Sequence, residues 1–90
     1  MDEKLFEAIK AADDVGTYAV ALDEAICRLS KCQGAAELLT EDFRNAIVRE
    51  QELWRQIEAM PEFKAKYDAT RFGVYDAQED FRRELKAREI

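Results

Sequence analysis

The most regular apolar pattern in the chain lies between Thr40 and Met60. Apolar residues recur there at the spacing of one helix face, namely Phe43, Ala46, Ile47, Leu53, Trp54, Ile57 and Met60. Thr40 is a suitable N-cap residue, and Pro61 is expected to end or bend the helix. The pattern therefore predicts an amphipathic helix over about 41–60.

Glu50 interrupts the apolar stripe of this helix, close to Trp54 in projection. A buried carboxylate without a partner is costly, so two interpretations are open. In the first, Glu50 reaches water at the edge of the stripe or pairs with a basic residue such as Arg28 or Arg71. In the second, Glu50 lies in a seam that another chain completes, where it specifies register or partner.

Two helices are predicted before this one. The first covers about 3–14, with Asp2 as its cap, and it is expected to end near Gly16. The second covers about 17–33, and Gly34 is expected to follow its last turn. The apolar seam of this second helix consists of Tyr18, Ala21, Leu22, Ala25, Leu29 and Cys32.

After Pro61 a single apolar phase predicts one long last helix over about 61–88. Its main stripe consists of Phe63, Tyr67, Thr70, Val74, Ala77, Phe81 and Leu85. Gly73 is expected inside this helix, where glycine costs up to ~1 kcal/mol relative to alanine. Ala65, Ala69 and Phe72 form a second apolar face. A helix that is apolar on two sides needs two partners, so this face predicts an interface.

Composition supports an all-α fold. The chain has 90 residues, of which 48% are hydrophobic, with one proline and three glycines. No segment alternates apolar and polar residues as a half-buried strand does. A chain of this size builds one core. We therefore predict a single domain over 1–90, a small bundle of three principal helices and a short N-terminal helix.

The charge distribution argues against direct nucleic-acid binding. The net charge is −6; residues 1–45 carry five basic and ten acidic side chains, whereas residues 46–90 carry nine and ten. Phosphate binding normally requires a basic surface. No apolar run approaches the ~20 residues of a membrane span, and the amino terminus is acidic where a secretory signal would be basic. The expected location is the cytoplasm.

The residues needed for common catalytic and metal sites are missing from the sequence. There is no histidine, no glycine-rich phosphate loop and no EF-hand loop. Cys27 and Cys32 would point about 140° apart on a helix, which does not suit a redox pair or a shared metal. Cys32 is expected to be a small core residue. We predict a protein that is not an enzyme, with no catalytic residue, cofactor or metal ligand.

The run from Leu5 to Ala25 is similar to the first helical segment of the YlbF/YmcA family of small bacterial regulators. Ala8, Ile9, Lys10, Tyr18 and Ala21 carry this resemblance, and a second shared segment contains Leu38, Leu39 and Phe43. The resemblance covers residues 5–43, about half of the chain. It implies a helical protein without enzymatic activity that assembles with itself or with relatives in a regulatory complex. It supplies no functional residue.

Two functional hypotheses result. The first is a protein–protein interaction module, a regulator or adaptor that forms a homodimer. Its predicted partner-binding residues are Glu50, Trp54, Ala65, Ala69 and Phe72. The alternative is an acidic inhibitor encoded by a phage or mobile element, which blocks a basic nucleic-acid-binding surface of its target. Inhibitor binding of that kind should weaken steeply as salt rises.

Overall fold

The computed structural model describes residues 1–68 and 71–89. Four helices occur in these residues: α1 (Glu3–Arg28), α2 (Gln33–Ala59), α3 (Pro61–Lys64) and α4 (Arg71–Arg88). The described part of the chain contains no strand. The all-α prediction is confirmed. Three long helices and one short helix are present, but their boundaries differ from the predicted ones.

α1 is one continuous helix, so the predicted break near Gly16 is wrong. Asp2 caps it as predicted, with Oδ1 accepting a hydrogen bond from the amide of Leu5 at 3.1 Å. The buried residues of α1 are Leu5, Phe6, Ile9, Ala12, Ala19 and Leu22. These residues keep one helical phase on both sides of Gly16. Gly16 itself faces α2, and its missing side chain leaves room for Glu50 of that helix. The apolar seam predicted for a separate second helix is therefore only partly buried in the core, since Tyr18, Ala21 and Cys32 are exposed.

α2 begins at Gln33, well before the predicted start after Thr40. Thr40 is not an N-cap but lies within the helix, where its hydroxyl donates to the carbonyl of Ala36 at 2.7 Å. Gly34 lies in the first turn of α2 and does not follow the end of a helix. The predicted apolar stripe is confirmed, because all seven of its residues are buried or half-buried.

The prediction of one long last helix is wrong, because the helix is broken after Lys64 and a new one begins at Arg71. Pro61 ends α2 and occupies the first position of α3, as its fixed φ and missing amide hydrogen favour. Beyond the break, the hydroxyl of Tyr67 donates to Oδ2 of Asp80 at 2.5 Å. Thirteen residues in one straight helix would separate these groups by about 20 Å. The break brings both halves of the predicted stripe into one core; Thr70 lies outside the described residues.

Gly73 has a different role from the predicted one. A Cβ atom on this residue would lie 1.7 Å from the carbonyl oxygen of Asp68. The φ angle of Gly73 is not positive, so an unusual backbone conformation is not the reason for glycine. The reason is space: the backbone before α4 crosses directly over its first turn.

The buried residues form two clusters at different levels of the α1–α2 hairpin. The lower core contains residues of all four helices and of the connection at Tyr67: Leu5, Phe6, Ile9, Ala12, Ile57, Phe63, Tyr67, Ala77 and Phe81. The upper core contains Ala19, Leu22 and Ala46, with Val15, Leu39, Phe43 and Ile47 packed against them. In the described part of the chain, the upper core therefore has side chains from α1 and α2 only.

This arrangement makes the protein elongated. Its radius of gyration is 15.5 Å and its principal extents are 47 × 31 × 20 Å. A compact domain of this length would have a radius of gyration of about 12 Å. The excess reflects the upper half of the hairpin, which extends beyond the helices that cover its lower half.

Candidate functional site

A cleft of about 570 Å³ lies where the upper and lower halves meet. We call it the Glu50 cleft. Its lining residues come from α1 (Ile9, Asp13, Gly16, Thr17, Ala19, Val20 and Asp23), α2 (Phe43, Ile47, Glu50 and Trp54) and α4 (Gln78, Phe81 and Arg82). The cleft is open to solvent and lies in the size range of binding pockets, roughly 300–1,000 Å³.

Glu50 lies inside this cleft against Gly16. A Cβ atom on Gly16 would lie 3.1 Å from Oε1 of Glu50, so the carboxylate occupies space that any other residue at position 16 would partly fill. Glu50 is half-buried, as is Trp54 one turn further along α2. The carboxylate is thus held beside apolar walls but keeps access to water, which a buried charge without a partner requires.

The charged groups of the cleft are mostly acidic. Three carboxylates, from Asp13, Asp23 and Glu50, line it together with the guanidinium of Arg82. Within the described residues, none of these four groups forms an ion pair or a side-chain hydrogen bond. Pairing of Glu50 with Arg28, one of the alternatives that the sequence left open, is therefore wrong, and the side chain of Arg71 lies outside the described residues. The cleft combines apolar walls with negative charge that no cation of the described chain neutralises by direct contact.

A second apolar surface lies on the amino-terminal half of α4, and we call it the α4 patch. It consists of Phe72, Val74, Tyr75 and Gln78. Phe72 is 78% exposed and Tyr75 is 58% exposed. Gln78 also lines the Glu50 cleft, so the two surfaces adjoin along α4. Large aromatic side chains exposed together in this way are typical of interaction surfaces.

The structure separates the five residues predicted to bind a partner. Glu50 and Trp54 share the Glu50 cleft, and Phe72 belongs to the α4 patch. Ala65 is exposed in the turn after α3, and Ala69 lies outside the described residues. Ala65 and Phe72 do not share a helix, because Ala65 follows α3 and Phe72 belongs to α4. The predicted second face of one continuous helix is therefore wrong.

Contacts at the far end of α4 fix it as a wall of the cleft. Nη1 and Nη2 of Arg88 donate to the two carboxylate oxygens of Glu3 at 3.0 and 2.6 Å. The same guanidinium lies 3.6 Å from the ring centroid of Phe6. The hydrogen bond from Arg88 lowers the pKa of Glu3, and the same bond raises the pKa of Arg88. These contacts join the amino terminus of α1 to the carboxyl terminus of α4.

Tyr67 and Asp80 connect the turn after α3 to the middle of α4. Lys66 and Arg83 also approach Asp80, at 3.9 and 3.3 Å. Burial raises the pKa of Tyr67 well above its ordinary value, and the hydrogen bond to the Asp80 carboxylate raises it further. The phenol is therefore held protonated as a donor, and its hydrogen bond ties α4 to the turn after α3.

The two cysteines are free and exposed, so the prediction of Cys32 as a core residue is wrong. Cys32 immediately precedes α2, where the chain turns at the end of the hairpin. The described residues contain no group of three or more His, Cys, Asp or Glu side chains arranged so that they could hold a metal ion, and no helix that is long and apolar enough to cross a membrane.

Sequence reasoning found the α2 side of the cleft but missed its other walls. The predicted break near Gly16 divides Asp13 and Val20 between two helices, and the sequence gives no sign that Arg82 lies near them. One signal could have identified the α1 wall. Gly16 falls on the phase of Ile9, Ala12 and Ala19, so one helix could have been drawn through it.

No family model, curated protein or solved structure matches this chain. The resemblance to the YlbF/YmcA regulators therefore stays a prediction.

Proposed function

We propose that this protein is a helical protein–protein interaction module without enzymatic activity, a regulator or adaptor that acts within a complex. The observation that carries the proposal is the apolar surface that the helices leave uncovered. The α4 patch and the Glu50 cleft adjoin at Gln78; the patch is mainly apolar, whereas the cleft combines apolar walls with acidic side chains. The cytoplasmic location expected from the sequence is part of this proposal.

The proposal includes a homodimer that forms through the α4 patch. Phe72 and Tyr75 project from successive turns of α4, so two copies of the helix could pack these rings against each other across a two-fold axis. Buried aromatic residues often dominate the energy of such interfaces. The residues of the lower core are already buried within one chain, and the proposed interface uses side chains outside that core.

Analytical ultracentrifugation over a range of protein concentrations tests this dimer. Phe72→Ser should weaken self-association at least about tenfold, because it removes a central aromatic contact. Val48→Ser is the matched control, since Val48 is 53% exposed on α2 and lines neither surface. A wild-type chain that stays monomeric at every concentration, or equal effects of the two substitutions, would contradict the proposed dimer.

The acidic inhibitor of a nucleic-acid-binding protein stays the alternative prediction. Its discriminating measurement is the salt dependence of partner binding. Helix packing through apolar contacts should weaken little between low and moderate salt, whereas docking into a basic groove should weaken steeply.

A further inference from the structure

We infer that the Glu50 cleft binds an amphipathic helix of a partner protein, and that a lysine or arginine of this helix pairs with Glu50. The inference rests on the proposed function and specifies the chemistry of the partner. It follows from three features of the cleft: its apolar upper wall, its uncompensated carboxylates and the helix that is missing above the upper core.

The upper core has only two helical layers in the described chain. In the lower core, α4 packs against α1 and adds its side chains to a cluster that also contains Ile57 of α2, and the buried residues of this cluster are at most 9% exposed. Above it, Phe43 and Ile47 stay half-buried and Val20 is 60% exposed. A helix seated in the cleft would cover these side chains as α4 covers those below. Binding of an amphipathic helix to an apolar groove is a common mode of recognition.

The charge of the cleft selects a basic helix. An apolar helix face that closes over Glu50 would remove water from a carboxylate that contacts no cation in the described structure. A lysine or arginine at the border of that face would offset this cost, and Asp13 and Asp23 would attract it during association. Among the described lining residues, Arg82 is the only cation, and it belongs to α4.

A second copy of this chain fits the cleft less well. A copy with a net charge of −6 would bring further negative charge to a cleft that Asp13, Asp23 and Glu50 already make acidic. The helix with the most basic residues near its end, α4, is already held as a wall of the same cleft by Arg88 and Tyr67. A partner of opposite charge is therefore the occupant that the structure favours.

The test uses the full chain and synthetic helical peptides of about 18 residues, which is roughly five turns. The first peptide carries leucines along one face and a central arginine at the border of that face. The second has glutamate in place of this arginine, and a third has the first composition in scrambled order. None contains tryptophan, so the fluorescence of Trp54, the only tryptophan of the chain and a residue of the cleft, reports binding.

The arginine peptide should bind at least about tenfold more tightly than the glutamate peptide or the scrambled peptide. Glu50→Gln should remove most of this preference. Glu52→Gln is the matched control, because it removes the same charge from an exposed position of α2 outside the cleft and should change the affinity less than about twofold. Glu50→Lys should reverse the preference. If circular dichroism shows that Glu50→Lys does not fold, the test rests on Glu50→Gln.

Equal binding of the arginine and glutamate peptides would overturn the inference. Equal weakening by Glu50→Gln and Glu52→Gln would also overturn it, since the attraction would then come from overall charge. Trp54 fluorescence that changes with protein concentration alone, and no longer does so in Glu50→Gln, would assign the cleft to a second copy. A protein that dimerises but does not discriminate between the peptides would refute this inference alone, whereas a monomer that discriminates would refute only the dimer.

Discussion

Gly73→Ala is the substitution for which sequence and structure predict opposite signs. In a regular helix alanine is more favourable than glycine by about 0.8–1.0 kcal/mol, so the apolar pattern predicts a more stable variant. In the structure the added Cβ would lie 1.7 Å from the carbonyl oxygen of Asp68, 2.7 Å from its carbonyl carbon and 2.8 Å from its amide nitrogen. These are backbone atoms, so a side-chain rotation cannot relieve the overlap.

The expected loss of stability in Gly73→Ala follows from the displacement of the Asp68 backbone that the added Cβ requires. A carbon–oxygen contact normally needs more than about 3 Å, so the backbone at Asp68 must shift by more than 1 Å, roughly the difference between these distances. Overpacking of this kind costs about 1–3 kcal/mol. The shift also disturbs the neighbouring Tyr67 and its hydrogen bond to Asp80, worth about 1–2 kcal/mol. The unfolding free energy should therefore fall by about 2–5 kcal/mol, which lowers the melting temperature by about 10 °C or more.

Gly34→Ala is the matched control for this experiment. Gly34 is exposed in the first turn of α2, and no atom lies within 4 Å of the added Cβ. Alanine there should raise the unfolding free energy by up to ~1 kcal/mol. Urea unfolding and thermal melts followed by circular dichroism measure both variants. If Gly73→Ala is as stable as Gly34→Ala, the chain does not cross over the first turn of α4 and the reasoning is refuted.

Three further substitutions test the cleft and the contacts that hold α4. Glu50→Leu should raise the unfolding free energy by only about 1 kcal/mol, because the site is half-buried, but should change assembly or peptide binding more strongly; a more stable variant with unchanged assembly and partner binding would contradict this. Tyr67→Phe should cost about 1–2 kcal/mol at neutral pH. Because the folded-state pKa of Tyr67 is raised above 10.0, its contribution is complete below about pH 10 and is lost as the pH rises further, so wild type and variant should converge in alkaline urea titrations; a constant difference would count against the Asp80 bond. Glu3→Gln should lower the unfolding free energy at neutral pH. Because the pKa of Glu3 is held below 4.5 in the folded state, the difference in stability between wild type and variant should disappear as the pH falls through that lowered pKa. If acid melts show the same difference at low pH, the Arg88 pair does not stabilise the fold.

Local features of the chain were sufficient to predict the all-α fold and much of its inner surface. The stripe of α2, the Asp2 cap and the end of α2 at Pro61 depend on neighbours within a few residues, so periodicity and capping preferences identify them. The anomaly of Glu50 was also visible, because one charged residue on an apolar stripe needs no tertiary information to be recognised.

Tertiary contacts decided what each glycine does, and with it the shape of the site. Gly16 was expected to end a helix but faces Glu50 within a continuous one, whereas Gly73 was expected in the middle of a helix but lies in the first turn of α4 against the backbone of Asp68. The difference depends on atoms of other turns and other helices, which the local sequence does not contain. The same holds for the Glu50 cleft: α2 supplies the carboxylate, but α1 and α4 decide that it lies in an open groove and contacts no cation of the described chain.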